Sequence, residues 1–235
     1  DISFVLFDEV ATQGRPPPHL IAEIDDKLPW LDGPCAVEPE FFDVILDPPG
    51  PTPKLFATLR NQVSDADYAI GFIASALVRD GGTLQIGIGS LADALCHALI
   101  LRHTRNADWR AVLDALEPGM ADSKLVREHG GVRPFELGLY GASEMVNDGF
   151  RALAQAGVLS RRVIDDVGVM ARANRGLATD ADDALIERNG RWLDGAFYLG
   201  SNYLYRWLRE LPPELARGLA MMPVSRVNQL YGGDQ

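Results

Sequence analysis

Asp80-Gly-Gly-Thr-Leu-Gln-Ile-Gly-Ile-Gly-Ser-Leu-Ala-Asp-Ala-Leu-Cys-His-Ala-Leu-Ile-Leu101 is the stretch whose reading decides the fold. An apolar run from Thr83 to Ile88 meets Gly87 and Gly89, and helical spacing follows, with Leu91, Leu95, Ala98 and Leu99 on one face. The pattern predicts a strand, a tight glycine turn and a helix. Ser90 is the expected N-cap, with Asp93 three residues on at near capping-box spacing. Backbone N–H groups at such a turn suit an anion or a developing oxyanion.

Working outward, Ser64 and Asp67 predict a second capping box, opening a helix that carries Ile70, Ile73, Ala74, Leu77 and Val78 and ends at Asp80-Gly81. Further upstream, Ile2 to Phe7 reads as a strand and Leu20 to Ile24 as another, with a domain boundary expected at Pro48 to Pro53. The expected division is therefore 1–52, the end of an N-terminal α/β domain, and 53–235, an α/β domain whose C-terminal part is incomplete. Downstream, residues 102–134 read as a surface insertion with one amphipathic helix through Trp109, Val112, Leu113 and Leu116. Phe135 to Tyr140 reads as a short strand before a loop bearing Ser143, Glu144 and Asp148, and Val146, Phe150, Leu153 and Ala154 mark one face of a helix closed by Gly157. Residues 161–192 read as loops with a short helix from Asp182 to Arg188. Ala196 to Leu199 is an expected strand, Ser201 caps the next helix, and Met221 to Val227 is the last strand. Alternating strand and helix predicts an α/β fold, an open, mostly parallel sheet with flanking helices, in a chain that reads as part of a longer protein.

The net charge of −11 argues against a nucleic-acid surface, because phosphate binding needs a basic stripe. No apolar run is long enough to span a bilayer, and no charged region followed by an apolar one opens the chain, so the expected compartment is the cytoplasm. Two cysteines, Cys35 and Cys96, fit buried thiols in a reducing environment. The histidines, His19, His97, His103 and His129, show no metal-ligand spacing, and no metal site is expected.

In an open α/β sheet, ligands gather at the carboxyl ends of the strands. The glycine turn and the loop bearing Glu144 are the two candidate elements there. If their strands are neighbours, Glu144 faces the turn's amides, a carboxylate nucleophile opposite an oxyanion site, which suits acyl transfer. Other readings stand beside it. A Gly-x-Gly turn is common in packing, Ala92 replaces the third glycine of a dinucleotide fingerprint, and an acid before a helix is favoured by the helix dipole alone.

The sequence resembles the acetyl-CoA hydrolase/transferase family, which includes acetate and hydroxybutyrate CoA-transferases. Asp80 to Leu95 is similar to the family's Asp-Gly-x-Thr-Leu-Gln-x-Gly-Ile-Gly-x-x-x-Asp-Ala-Val segment, and Ser143-Glu-Met-Val-Asn-Asp-Gly149 to its Ser/Thr-Glu-Met-x-x-Asp-Gly signature. Gly195 to Tyr205 and Pro223-Val-Ser-Arg-Val-Asn228 match later elements in the same order. Ala142 stands where the family has histidine, and the family's Gly-Gly-Gln segment is expected beyond Gln235. The resemblance implies an acyl-CoA hydrolase or CoA-transferase that works through a glutamyl-CoA thioester on Glu144. Ile88 and Gly89 would supply oxyanion amides, and Gln85, Gly87, Ser143 and Asp148 would bind or position substrate. It implies coenzyme A as substrate with no further cofactor, a small carboxylate or water as acceptor, and a homo-oligomer. The alternative is a non-catalytic CoA-binding or assembly module that retains the fold.

Overall fold

The computed structural model describes residues 2–50, 54–57 and 61–222. Helix α1 (Ile2–Thr12) opens the chain, followed by strands β1 (Ile21–Glu23) and β2 (Val44–Leu46). Then come α2 (Asp65–Ser75), β3 (Thr83–Leu84), α3 (Ser90–Thr104), α4 (Asn106–Leu116) and α5 (Lys124–His129). The chain continues through β4 (Tyr140–Val146), α6 (Asp148–Gln155), α7 (Val167–Asn174), α8 (Asp180–Asn189), β5 (Leu193–Tyr198), α9 (Asn202–Arg209), α10 (Pro213–Ala216) and β6 (Leu219–Met221). Strands β3, β4, β5 and β6 form one parallel sheet in sequence order, and β1 and β2 form a separate parallel pair. The α/β class and the parallel sheet are as the alternation predicts.

The four-stranded sheet is covered on both faces, as parallel sheets require. One core joins Leu193 and Leu219 of the sheet to Leu99 of α3, Phe150 and Leu153 of α6 and Leu204 of α9. A second joins Tyr140, Ala142 and Met222 to Val169 and Met170 of α7. The β1–β2 pair has less cover, with Ile21, Val44, Ile45 and Leu46 all exposed. It connects to the main body through residues 29–35, where the Met221 N–H donates to the Asp32 carbonyl at 2.8 Å and the Tyr198 hydroxyl to that of Pro29 at 3.0 Å.

Several elements differ from the sequence reading, each for a local reason. Ile2 to Phe7 belongs to a helix, because the apolar spacing continues to Val10 and Gly14 (φ 65°) closes the turn, with the Arg15 N–H on Val10 and the Gly14 N–H on Ala11. Phe135 to Leu139 is not strand: the N–H groups of Glu136, Leu137 and Gly138 donate to the Asp80 carboxylate at 3.0–3.1 Å and leave none for a ladder. The strand begins at Tyr140 instead, so Ser143 and Glu144 lie within β4 rather than on a loop, and Val146 ends that strand rather than joining the helix, which starts at Asp148. Strand β3 stops at Leu84, four residues short of Ile88, and beyond it side chains take the carbonyls: Ser143 of β4 that of Ile86, and Asn147, the cap of α6, that of Gly87.

The cap of α3 is Gly89, with φ 117° and its carbonyl receiving the Asp93 N–H, and Ser90 is the first helical residue. The Ser90 side chain hydrogen-bonds Asp67 across the starts of α2 and α3. The Ser64–Asp67 capping box forms as predicted. Strand β5 starts three residues before Ala196, α7 fills part of a stretch read as loop, and β6 starts at Leu219. The expected continuation to Val227, the Pro223 motif and part of the Pro48–Pro53 boundary lie outside the described residues.

Residues 102–134 hold more than a surface helix. Trp109 and Leu113 of α4 and Val126 of α5 are buried against Phe72 and Ala98. The Arg102 guanidinium, 1% exposed, donates to the carbonyls of Ser75, Val78 and Arg133 and lies 4.3 Å from the Phe135 ring centroid. Burial pushes its pKa down to about 10, so it stays protonated at neutral pH and supplies donors to the buried carbonyl end of α2.

Candidate active site

The site is built from the carboxyl ends of β3 and β4. The two strands are parallel neighbours, Thr83 opposite Tyr140 and Leu84 opposite Gly141, so the chain leaves both at the same edge of the sheet. Beyond Leu84 they are joined by side chains. The Ser143 hydroxyl donates to the Ile86 carbonyl at 3.2 Å, and Asn147 Nδ2 donates to the Gly87 carbonyl at 2.9 Å. These two residues flank Glu144, so the turn is fixed to the strand that carries the candidate nucleophile.

The turn itself is open. A Cβ at Gly87 or Gly89 would meet nothing within 4 Å, Ile88 is 58% exposed, and its N–H has no hydrogen-bond partner among the described residues. Gly89 needs glycine for its backbone angle of +117°. Gly87 has no such requirement, and among the described residues nothing packs where its side chain would stand. A pocket of about 300 Å³ opens there, lined by Gly87, Ile88, Gly89, Cys96, Asn147 and Asp148 among others.

The predicted site residues divide between this pocket and the strand beside it. Gly87, Ile88, Gly89 and Asp148 line the pocket, whereas Gln85, Ser143 and Glu144 lie outside its walls. Gln85 and Glu144 are exposed, and Ser143 is buried with its hydroxyl on the Ile86 carbonyl. By strand alternation Glu144 shares parity with Tyr140 and Ala142. Ala142, in the position of the family's histidine, is 1% exposed and part of the second core.

Asp148, the first residue of α6, is nearly buried and its oxygens are engaged. Oδ1 and Oδ2 accept the Ser201 hydroxyl and N–H at 2.7 Å each, and Arg151 lies at 3.3 Å. It ties the start of α6 to the start of α9, holding the ends of β4 and β5 together. Cys96 and Cys35 are both free thiols, and burial pushes the Cys96 pKa up to about 12, which keeps it protonated and unreactive beside the pocket.

Asn147 is the residue that sequence reasoning missed. It is 5% exposed and caps α6 by accepting the Gly149 N–H at 2.9 Å. An Asn directly before Asp-Gly at the start of a helical pattern is a cap signal in sequence, but its bond to Gly87, sixty residues away, has none. Two larger clefts, of about 890 and 650 Å³, open at the other ends of the strands, and their walls mix arginines with acids. Among the described residues no group of His, Cys, Asp or Glu could hold a metal ion, and no helix is long and apolar enough to cross a membrane.

No family model matches the chain. In sequence it is 27% identical over 143 residues, 61% of its length, to the 4-hydroxybutyrate coenzyme A transferase of Clostridium kluyveri, and it spans 25% of that relative. In structure it is similar to a 4-hydroxybutyrate CoA-transferase from Porphyromonas gingivalis, with a TM-score of 0.52 at 17% identity over 90% of this chain and 38% of that one. RipA from Yersinia pestis is also similar, with a TM-score of 0.57 at 20% identity over 94% of this chain and 36% of that one. The chain thus spans a quarter to two fifths of the length of these relatives. The resemblance read from the glycine-turn and Ser-Glu-Met motifs is supported: over the stretch it spans, this chain is similar in sequence to a CoA transferase and carries the α/β fold of a CoA-transferase neighbour.

Proposed function

We propose that the protein is an acyl-CoA hydrolase or CoA-transferase whose nucleophile is Glu144. The observation that carries this reading is the fastening of an open, unpartnered Ile88 N–H to the strand bearing an exposed carboxylate. The Glu144 carboxylate attacks the thioester carbonyl, its C–S bond breaks, and an acyl-glutamyl anhydride and CoA thiolate result. The thiolate then attacks the glutamyl carbonyl, releasing the acyl group as its carboxylate and leaving a glutamyl-CoA thioester. A second carboxylate reverses the two steps and leaves as a new acyl-CoA, or water hydrolyses the thioester to Glu144 and CoA. Each tetrahedral intermediate places negative charge on an oxygen, and the Ile88 N–H, with Gly89 beside it, is the donor for that charge.

A carboxylate suits the work because it is ionised at neutral pH and gives acyl intermediates close in energy to a thioester. Coenzyme A enters as substrate, and no other cofactor is required. The proposal includes the division at residue 52, the insertion at 102–134, a cytoplasmic setting and a homo-oligomer. Glu144→Gln tests it against a module that only binds CoA. The expected result in the full-length protein is loss of turnover with CoA affinity retained; turnover that survives the substitution overturns the assignment.

A further inference from the structure

We infer that Asn147 is a positioning residue of the glycine turn, and that its carboxamide sets the direction of the Ile88 N–H. The inference rests on the reading of that N–H as an oxyanion donor.

Both ends of the Asn147 amide are in use: Nδ2 donates to the Gly87 carbonyl at 2.9 Å, and Oδ1 accepts the Gly149 N–H at 2.9 Å. The second bond anchors the side chain to the first turn of α6, and the first holds one peptide unit of the glycine turn. That unit is planar and trans, so its carbonyl and its N–H point in opposite directions. Drawing the Gly87 carbonyl toward Asn147 therefore aims the Ile88 N–H away from α6. Little else could hold it: Gly87 and Gly89 have no side chains, and a Cβ at either would touch nothing within 4 Å. Among the described residues the other ties in this segment are Ser143 to the Ile86 carbonyl, one peptide earlier, and the Asp93 N–H to the Gly89 carbonyl, two peptides later, and neither holds the 87–88 plane. Asn147 is 5% exposed, so its side of the bond to Gly87 is buried.

A donor preorganised in this way stabilises charge only where it points, and a reorientation of one peptide is enough to lose it. Asn147→Asp and Asn147→Ser separate this role from capping. Aspartate and serine are good N-caps and keep an acceptor for the Gly149 N–H, but aspartate has no donor for Gly87, and the serine hydroxyl is too short to reach it. In the full-length protein acting on an acyl-CoA, the expected result for both is a kcat lower by about 100-fold, with KM and the thermal midpoint close to wild type. Should Asn147→Asp not fold, Asn147→Ser carries the same test. Folded variants with wild-type kcat overturn the inference. Glu144→Gln, assayed alongside, tells the failures apart. If it is inactive while Asn147→Asp is fully active, only the role of Asn147 is lost; if it retains turnover, the reading of the site fails and this inference with it.

Discussion

Asp148 accepts both polar hydrogens of Ser201, the hydroxyl on one carboxylate oxygen and the backbone N–H on the other, each at 2.7 Å. One residue starts α6 and the other caps α9, so this pair sets the spacing of β4 and β5 at the edge where the site lies. Asp148→Ala is expected to lower stability by about 2–3 kcal/mol, since two half-buried donors of Ser201 and Arg151 lose their acceptor. Ser201→Ala, which keeps the backbone donor to Asp148 and loses the hydroxyl's bond to Asp148 and its cap on Leu204, should lower it by less, about 1–2 kcal/mol. Urea denaturation of the two variants gives the comparison, and equal losses would contradict it.

Gly87 and Gly89 should respond differently to alanine. At Gly89 the backbone angle of +117° makes any side chain strained, and Gly89→Ala is expected to cost about 1–2 kcal/mol. At Gly87 nothing lies within 4 Å of a new Cβ and the backbone makes no special demand, so Gly87→Ala should change stability by less than about 0.5 kcal/mol. The same methyl stands in the space through which a ligand would reach the turn, and activity should fall nonetheless. Thermal melts paired with acyl-CoA turnover read both quantities; an active Gly87→Ala would mean that the ligand does not approach there.

Arg102 holds three carbonyls and packs over two rings, so its removal leaves acceptors that water cannot reach. Arg102→Met is expected to destabilise by roughly 3 kcal/mol or more, with Arg102→Lys recovering only part because a single ammonium cannot span the three acceptors. Denaturant midpoints of the two variants measure it.

Two acids should give opposite pH dependences. Asp182 is held far below the usual carboxylate range by hydrogen bonds from Arg172 and Thr179, so its stabilising contribution is present above the unfolded-state pKa, near 3.8, and is lost as pH falls through the lower folded value. The advantage of wild type over Asp182→Asn should therefore be constant near neutrality and shrink in acid. Burial raises Asp194, against the opposing pull of Tyr140 and Arg191. A raised folded pKa means that the native state holds its proton longer than the unfolded chain, so this group's contribution falls as pH rises above 3.8 through the folded value. Stability against pH for wild type, Asp182→Asn and Asp194→Asn gives both slopes.

The strand, glycine turn and helix around Gly87 were legible because helical spacing and glycine chemistry are local. So were the Ser64 box and the Ser201 cap, where donor and acceptor lie three residues apart. What could not be read depends on distant partners. Phe135 to Leu139 has a strand's composition, but Asp80, more than fifty residues earlier, claims its amides. Beyond the end of β3, the carbonyls of Ile86 and Gly87 are taken by Ser143 of β4 and by Asn147 at the start of α6. Helix α7 carries Gly168 and the β-branched Val167 and Val169, poor helix formers in isolation, and is held by the packing of Val169 and Met170 against Tyr140 and Ala142. That the strand bearing Glu144 lies beside the one leading to the turn follows from strand order, which the motifs imply only together.

The most direct test of the account is chemical capture at Glu144. Full-length protein is incubated with an acyl-CoA, treated with borohydride or hydroxylamine, digested and examined by mass spectrometry. The account predicts reduction or hydroxamate formation at Glu144, dependent on the acyl-CoA and absent from Glu144→Gln; robust turnover with Glu144 unmodified would contradict it.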